Sequence, residues 1–179
     1  MKRHLALVGF MASGKSTIGR KLARKLGCAF FDTDALVART HGPIPAIFEN
    51  EGEAAFRRYE RAAIDSVLND GEPGVVALGG GSLTVAENRR LLNDRAWCVF
   101  IRVSPQQILA RVRRGRQLRP MLGSAPTLAR IKELYAARMQ DYESADHVVD
   151  ASLRSDREVI EDIVAWLASN EIELQAIPR

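Results

Sequence analysis

Residues Gly9-Phe10-Met11-Ala12-Ser13-Gly14-Lys15-Ser16 spell G-x-x-x-x-G-K-S, directly after a short apolar run. Gly9 and Gly14 allow the backbone to turn tightly, so that its N–H groups point into a concave anion nest. A helix opening at the end of such a loop adds the positive end of its dipole. A lysine at position 15 reaches the β and γ phosphates of a nucleotide, and a hydroxyl at position 16 ligates magnesium. A second chemical pair, Asp32 and Asp34, closes the run Phe30-Phe31. In extended chain, residues two apart face the same way. Two carboxylates so placed repel unless a cation or a ligand hydroxyl lies between them. This reading gives Asp32 to the magnesium shell and Asp34 to an acceptor hydroxyl. Helix capping by Asp34 is the plainer alternative.

A third concentration is cationic. Arg111, Arg113, Arg114, Arg116 and Arg119 crowd nine positions of a chain whose net charge is only +4. A solvated helix face, a nucleic-acid patch and a clamp over a polyanion such as ATP all fit that run. No aromatic residue is interleaved there, which argues against the nucleic-acid reading. The surrounding stretch is rich in Gly and Pro (Gly115, Pro120, Gly123, Pro126). That composition suits a mobile flap more than a domain boundary, and Arg119, preceding Pro120, is biased towards extended backbone.

Parallel strands with helices on both faces are the elements that place such groups. The apolar runs 5–8, 29–31, 75–78, 98–103 and 147–149 are continuous rather than alternating, as in strands buried on both sides. Between them the sequence turns helical. Ile18, Leu22 and Leu26 repeat every four residues, and Gly27 closes that helix. Phe56, Tyr59, Ala63 and Val67 stripe a second helix, and Pro105 opens a third with Ile108, Leu109 and Val112 inward. Leu128, Ile131, Leu134 and Tyr135 mark a fourth, and Val159, Ile160, Ile163, Val164 and Leu167 a fifth. Alternating β and α units predict a three-layer α/β sandwich around a mainly parallel five-stranded sheet.

At 179 residues, with 46% apolar and 27% charged, the chain is neither disordered nor collagenous nor a membrane bundle. Its longest apolar runs, Ala96 to Ile101 and Ile163 to Ala168, are far below the roughly 18 residues that span a bilayer. No signal-peptide core follows Met1-Lys2-Arg3-His4, so a cytoplasmic location is expected. Cys28 and Cys98 read as reduced thiols. His4, His41 and His147 have no zinc-ligand spacing.

Taken in chain order, these motifs resemble the shikimate kinases. The matching segments are Gly9-Phe10-Met11…Gly14-Lys15-Ser16-Thr17, Asp32-Thr33-Asp34, and Gly52-Glu53-Ala54-Ala55-Phe56-Arg57-Arg58-Tyr59-Glu60. They continue with Gly79-Gly80-Gly81, Arg119-Pro120-Met121-Leu122 and Arg138-Met139-Gln140-Asp141-Tyr142. The resemblance implies a nucleoside-monophosphate-kinase-like P-loop fold with a mobile lid. It also implies one domain over 1–179, with a substrate-binding region at about 33–61 and the lid at about 112–126. The implied reaction moves the γ-phosphate of ATP to the 3-hydroxyl of shikimate, giving shikimate 3-phosphate and ADP on the route to chorismate and the aromatic amino acids. Mg²⁺ is the implied cofactor.

By residue, the resemblance assigns Gly9, Ala12, Ser13, Gly14, Lys15, Ser16, Thr17 and Arg119 to ATP, and Ser16 and Asp32 to the metal. It assigns Asp34, Arg57, Gly79, Gly80, Gly81 and Arg138 to shikimate. Lys15, Asp34 and Arg119 become the catalytic set, and Arg154, after the last strand, a candidate at the adenine rim. The residue chemistry agrees. A carboxylate on a small ring suits two guanidiniums on separate helices, and a triple glycine exposes backbone N–H groups to a close ligand. An arginine of the lid region stacks on adenine in the family; Arg111 and Arg113 both qualify.

The chain departs from the family pattern at several points. Ala12-Ser13 stands where Gly-Ala or Gly-Ser is common, and a Cβ confines position 12 more strongly to negative φ. Pro43 replaces a capping serine, Met121 replaces a leucine, and the lid is slightly long. Another small-metabolite P-loop kinase, such as a gluconate kinase, and a catalytically silent binding protein of the same fold are the alternative readings. The expected partners are shikimate and ATP, with no nucleic acid and no membrane, and the expected state is a monomer.

Overall fold

The continuous apolar runs become five strands, β1 (His4–Val8), β2 (Ala29–Asp32), β3 (Gly74–Ala77), β4 (Ala96–Arg102) and β5 (His147–Asp150). The computed structural model describes residues 2–70, 72–115, 120–123 and 125–174. Every neighbouring strand pair is parallel, in the order β2-β3-β1-β4-β5. All residues of β1 and β3 are buried, which is why these runs carry no polar alternation. The expected strands hold, with ends shifted by a residue or two. Leu78 lies just past β3, where its N–H still donates to Leu7 O at 3.1 Å.

The helices are α1 (Lys15–Leu26), α2 (Thr33–His41), α3 (Ile44–Asn50), α4 (Gly52–Asp70), α5 (Ala86–Arg95), α6 (Pro105–Arg114), α7 (Leu128–Glu143) and α8 (Asp156–Ser169). They cover both sides of the sheet. Five of them stand where the periodic segments of the sequence placed helices. Gly27 caps α1 at φ 66°, and Ser104 and Ser155 cap α6 and α8 with their side chains. Three helices are additional, and each lacks a readable stripe. α2 buries only Thr33 and Val37, α5 only Asn88 and Leu92, and α3 is seven residues long behind Pro43, which caps it without a side-chain bond. The stripe expected on α4 also shifts. Phe56 and Val67 are buried as expected, but Tyr59 and Ala63 are only half-buried, and Glu60, Ile64 and Leu68 complete the inward line. The displaced Tyr59 donates to Glu51 at 2.7 Å and stacks on His41.

The connections decide where a ligand can sit. From β1 the chain crosses to β2 at one edge of the sheet, and from the adjacent β4 it crosses to β5 at the other. The crevice at such a reversal, outside the carboxyl ends of the strands, is where open α/β sheets bind ligands. α2, α3 and α4 build a small second apolar cluster of Val37, Ile47 and Phe56 beside it.

Both cysteines are free thiols, and burial pushes Cys98 up to about 12. Among the described residues no helix is long and apolar enough to cross a membrane. At the opposite end of β1, His4 is fully buried, and burial, with the charge of Arg3 adding to it, holds its imidazole below the ordinary 6.5. Between that depressed value and 6.5 the unfolded chain binds a proton that the folded chain does not, so stability falls as the solution is acidified through this window. Urea midpoints should therefore drop on going from pH 7.5 to 5.5, and His4→Leu should flatten that slope. An unchanged slope in the variant would remove His4 as its source.

Candidate active site

The loop after β1 wraps its backbone around Lys15. Gly9, at φ 142°, leaves no room for a side chain, since a Cβ there would lie 2.7 Å from Ile101 O of β4. Gly14 caps α1 at φ 101°. The Lys15 ammonium, on a side chain 7% exposed, donates to Gly9 O at 2.8 Å and Phe10 O at 2.9 Å, with Ser13 Oγ at 3.5 Å. Ser16 and Thr17 remain exposed on the first turn of α1. This cleft is lined by Met11, Ala12, Gly14, Lys15, Ser16, Thr17, Asp32, Asp34, Leu78 and Gly80.

One expectation for this loop fails. Ala12 does not stay at negative φ but takes +59°, in the left-handed region. The turn demands that conformation, and an alanine there is strained by roughly 1–2 kcal/mol. Ala12→Gly should therefore raise the unfolding free energy by up to about 1 kcal/mol, after allowing for glycine's greater unfolded-state entropy. Urea denaturation measures it, and a clear loss of stability would contradict the assigned strain.

The acidic pair also differs from expectation. The strand ends at Asp32 and the helix begins at Thr33, so the two carboxylates do not share one face of an extended chain. Asp32, not Asp34, caps α2, its Oδ1 accepting from Ala35 N at 3.1 Å. Between them the buried Thr33 hydroxyl donates to Ala77 O at 3.3 Å and accepts from Gly79 N at 3.2 Å. This pins the start of α2, and with it Asp34, to the glycine turn after β3. Both carboxylates still line the phosphate-loop cleft.

A second cleft adjoins the first. It is lined by Asp34, Arg57, Glu60, Gly79, Gly80, Gly81 and Arg138, with an apolar side from Met11, Ile44, Pro45, Phe48, Phe56, Pro120 and Met121. Arg57 Nη1 donates to Glu60 at 2.7 Å, while its Nε and Nη2 share Glu53 Oε1 at 3.3 and 3.1 Å. Burial pulls this guanidinium down, but Glu60 and Glu53 outweigh it and hold it above its ordinary value. Arg138, 5% exposed, donates to Gly80 O at 3.1 Å and lies over the Phe10 ring. Tyr142, one turn further along α7, donates to the same carbonyl, and burial pushes its phenol up to about 12.

All three glycines stand where the backbone is closely approached, and the Gly79 N–H is not exposed but donates to Thr33 Oγ1. A Cβ on Gly79 would collide with Glu60 Oε1 and one on Gly81 with the Arg57 guanidinium. One on Gly80 would lie 2.8 Å from Met11 N of the phosphate loop. The turn is thus the wedge that brings loop, Arg57 and Asp34 together. Glu60, Ser82 and Asn88 brace it from within the core: Ser82 Oγ bonds Glu60 at 2.7 Å and Gly79 O at 2.9 Å, and Asn88 Nδ2 donates to Ser82 O at 3.0 Å. Of these, only Glu60 left a signal in the sequence, its i, i+3 spacing from Arg57.

The structure brings together Gly9, Ala12, Ser13, Gly14, Lys15, Ser16, Thr17, Asp32, Asp34, Arg57, Gly79, Gly80, Gly81 and Arg138. Arg119 lies outside the described residues, as does part of the expected lid. Arg154 is elsewhere: it pairs with Asp162 at 2.7 Å, donates to Glu158 O at 2.8 Å and lines a separate cleft with His147 and Trp166. Arg111 reaches the phosphate loop, bonding Ala12 O and Ser13 O.

A family model described as shikimate kinase matches residues 11–168. A shikimate kinase of Dechloromonas aromatica is 44% identical over 149 residues, 83% of this chain and 80% of the relative. One from Methylococcus capsulatus is 41% identical over 165 residues, 91% of each chain. Among solved structures, a shikimate kinase from Acinetobacter baumannii in complex with shikimate superposes with a TM-score of 0.89 at 32% identity, covering 96% of both chains.

Proposed function

The chain belongs to the shikimate kinase family, and on that premise we propose that its two adjoining clefts seat ATP and shikimate end to end, the γ-phosphate passing to the 3-hydroxyl at Asp34. The observation that carries this reading is that Asp34, with Met11 and Gly80, lines both clefts. A group shared by a phosphate nest and a cationic pocket stands where the two substrates meet.

The phosphate tail of ATP occupies the loop from Gly9 to Thr17, with Lys15 against the β and γ phosphates. The shikimate carboxylate pairs with Arg57 and Arg138, whose planar forks match carboxylate oxygens. The ring then lies against Phe48 and Phe56, and its hydroxyls face Asp34 and the glycine turn. The 3-hydroxyl oxygen attacks the γ-phosphorus, the bond to the β–γ bridging oxygen breaks, ADP leaves, and the hydroxyl proton passes to the Asp34 carboxylate. The transition state is loose, so orienting that oxygen matters more than strong basicity.

The residues also fit a magnesium ion. No group of three or more His, Cys, Asp or Glu suited to a metal occurs among the described residues. The cleft instead offers the Ser16 hydroxyl and the Asp32 carboxylate beside the phosphate nest. Few protein oxygens, with waters and phosphate oxygens completing the octahedron, is how Mg²⁺ is commonly held with nucleotides. When bound, the ion neutralises charge on the phosphates. Arg119 supplies a further cation from the lid at about 112–126, whereas Arg154, engaged by Asp162 and Glu158 in a separate cleft, is not assigned to ATP. The chain reads as one domain that acts as a monomer in the cytoplasm.

A coupled assay of ADP release with shikimate, with gluconate and with no acceptor tests the proposal. Release should depend on shikimate and be at background with the other two. Equal release with gluconate would replace the acceptor, and none with either would favour a silent binding protein.

A further inference from the structure

The least relaxed point of the phosphate loop is held from a distant helix. Ala12 sits at φ +59°, and the carbonyls on either side of the Ala12–Ser13 step both accept from Arg111 Nη1, at 3.2 Å for Ala12 and 2.9 Å for Ser13. Arg111 lies in the last turn of α6, the helix that runs into the lid segment. The same nitrogen stands 3.7 Å from where a Cβ on Gly14 would be, so it covers the loop from Ala12 to Gly14. In a trans peptide the C=O and N–H point opposite ways. Drawing Ser13 O towards Arg111 therefore turns Gly14 N–H away from the arginine, as an anion nest requires. A glycine at position 12 would take the left-handed conformation without steric cost. With alanine there, the loop depends on an outside tie.

We infer that Arg111 is a positioning residue for the phosphate loop, holding the left-handed Ala12–Ser13 turn in its phosphate-binding shape and tying it to the lid helix. This role rests on the reading of the loop as the nucleotide-phosphate site. It works through the loop backbone and requires no contact with the nucleotide base. It couples Arg111 to Ala12 energetically, and that coupling is measurable.

The test is a double-mutant cycle of Arg111→Ala and Ala12→Gly, reading dissociation constants by titration calorimetry for ADP and for inorganic tripolyphosphate, which has no base. Losing a charge-assisted tie should weaken both ligands about tenfold or more when position 12 is alanine. In the Ala12→Gly background the same replacement should cost about threefold or less. Arg111→Lys, which restores a cation with a single donor site, should recover part of the loss, and it keeps the cycle readable if the alanine variant does not fold. Two results would overturn the inference: equal losses in both backgrounds, or a loss confined to ADP with tripolyphosphate unaffected, which marks direct contact with the base or ribose. Lys15→Ala distinguishes failure of the arginine's role from failure of the site itself. Tripolyphosphate binding that survives it would overturn the loop as the phosphate site, and the role of Arg111 with it.

Discussion

Replacing Asp34 by asparagine is expected to lower turnover by roughly 10²- to 10⁴-fold, the range that a positioned general base contributes, while ADP affinity stays within a few-fold. Asparagine keeps the size of the side chain and one hydrogen-bonding oxygen. It loses the negative charge and the ability to take the acceptor proton. The position itself is secure in the variant, because the start of α2 is fixed by the Asp32 cap and by the Thr33 hydroxyl bridging Ala77 and Gly79. Loss of rate therefore reports the carboxylate rather than a displaced helix. Turnover within about tenfold of the parent would mean that the hydroxyl is oriented and deprotonated by another group, and Asp34 would leave the catalytic set.

Arg138→Ala is expected to weaken shikimate binding by roughly 30- to 4,000-fold, with ATP affinity little changed. Truncating one partner of a buried, hydrogen-bonded charge pair costs about 2–5 kcal/mol, and each 1.4 kcal/mol is tenfold. Arg138 is nearly fully buried, so a substrate carboxylate paired with its guanidinium would be little screened by water. It is also tied to Gly80 O, and the geometry of the glycine turn is a second thing the substitution can disturb. Titrating both substrates separates the two effects. A structural role would weaken ATP and shikimate together, because Gly80 lines both clefts. Arg138→Lys should recover only part of the loss, since an ammonium has no planar fork.

The scaffold was legible because its signals were strong. Five continuous apolar runs and five periodic helices gave the sheet and its cover, and Gly-Lys-Ser after a strand placed the loop. What escaped has physical reasons. α2 and α5 each turn only two residues inward, too few to create a period. α3 is a short helix behind a proline. Glu60 was invisible as a core residue because burial of a carboxylate depends on a partner, Arg57, that an apolar count ignores. Asp32 and Asp34 were paired on the assumption of extended chain, and the helix starts between them, so the cap fell to the first. At Ala12 the general preference of alanine for negative φ was outweighed by the turn and by an arginine 99 residues away. That contact is long-range and leaves no trace in local sequence.

Acceptor and phosphate chain are proposed to meet at Asp34, and a crystal structure with ADP and shikimate bound together would show whether they do. The shikimate carboxylate is expected between Arg57 and Arg138, the 3-hydroxyl within about 3 Å of an Asp34 oxygen, and the ADP phosphates in the loop from Gly9 to Thr17. Shikimate bound away from Arg57 and Arg138, or with its 3-hydroxyl turned from Asp34 and the phosphates, would refute that meeting point.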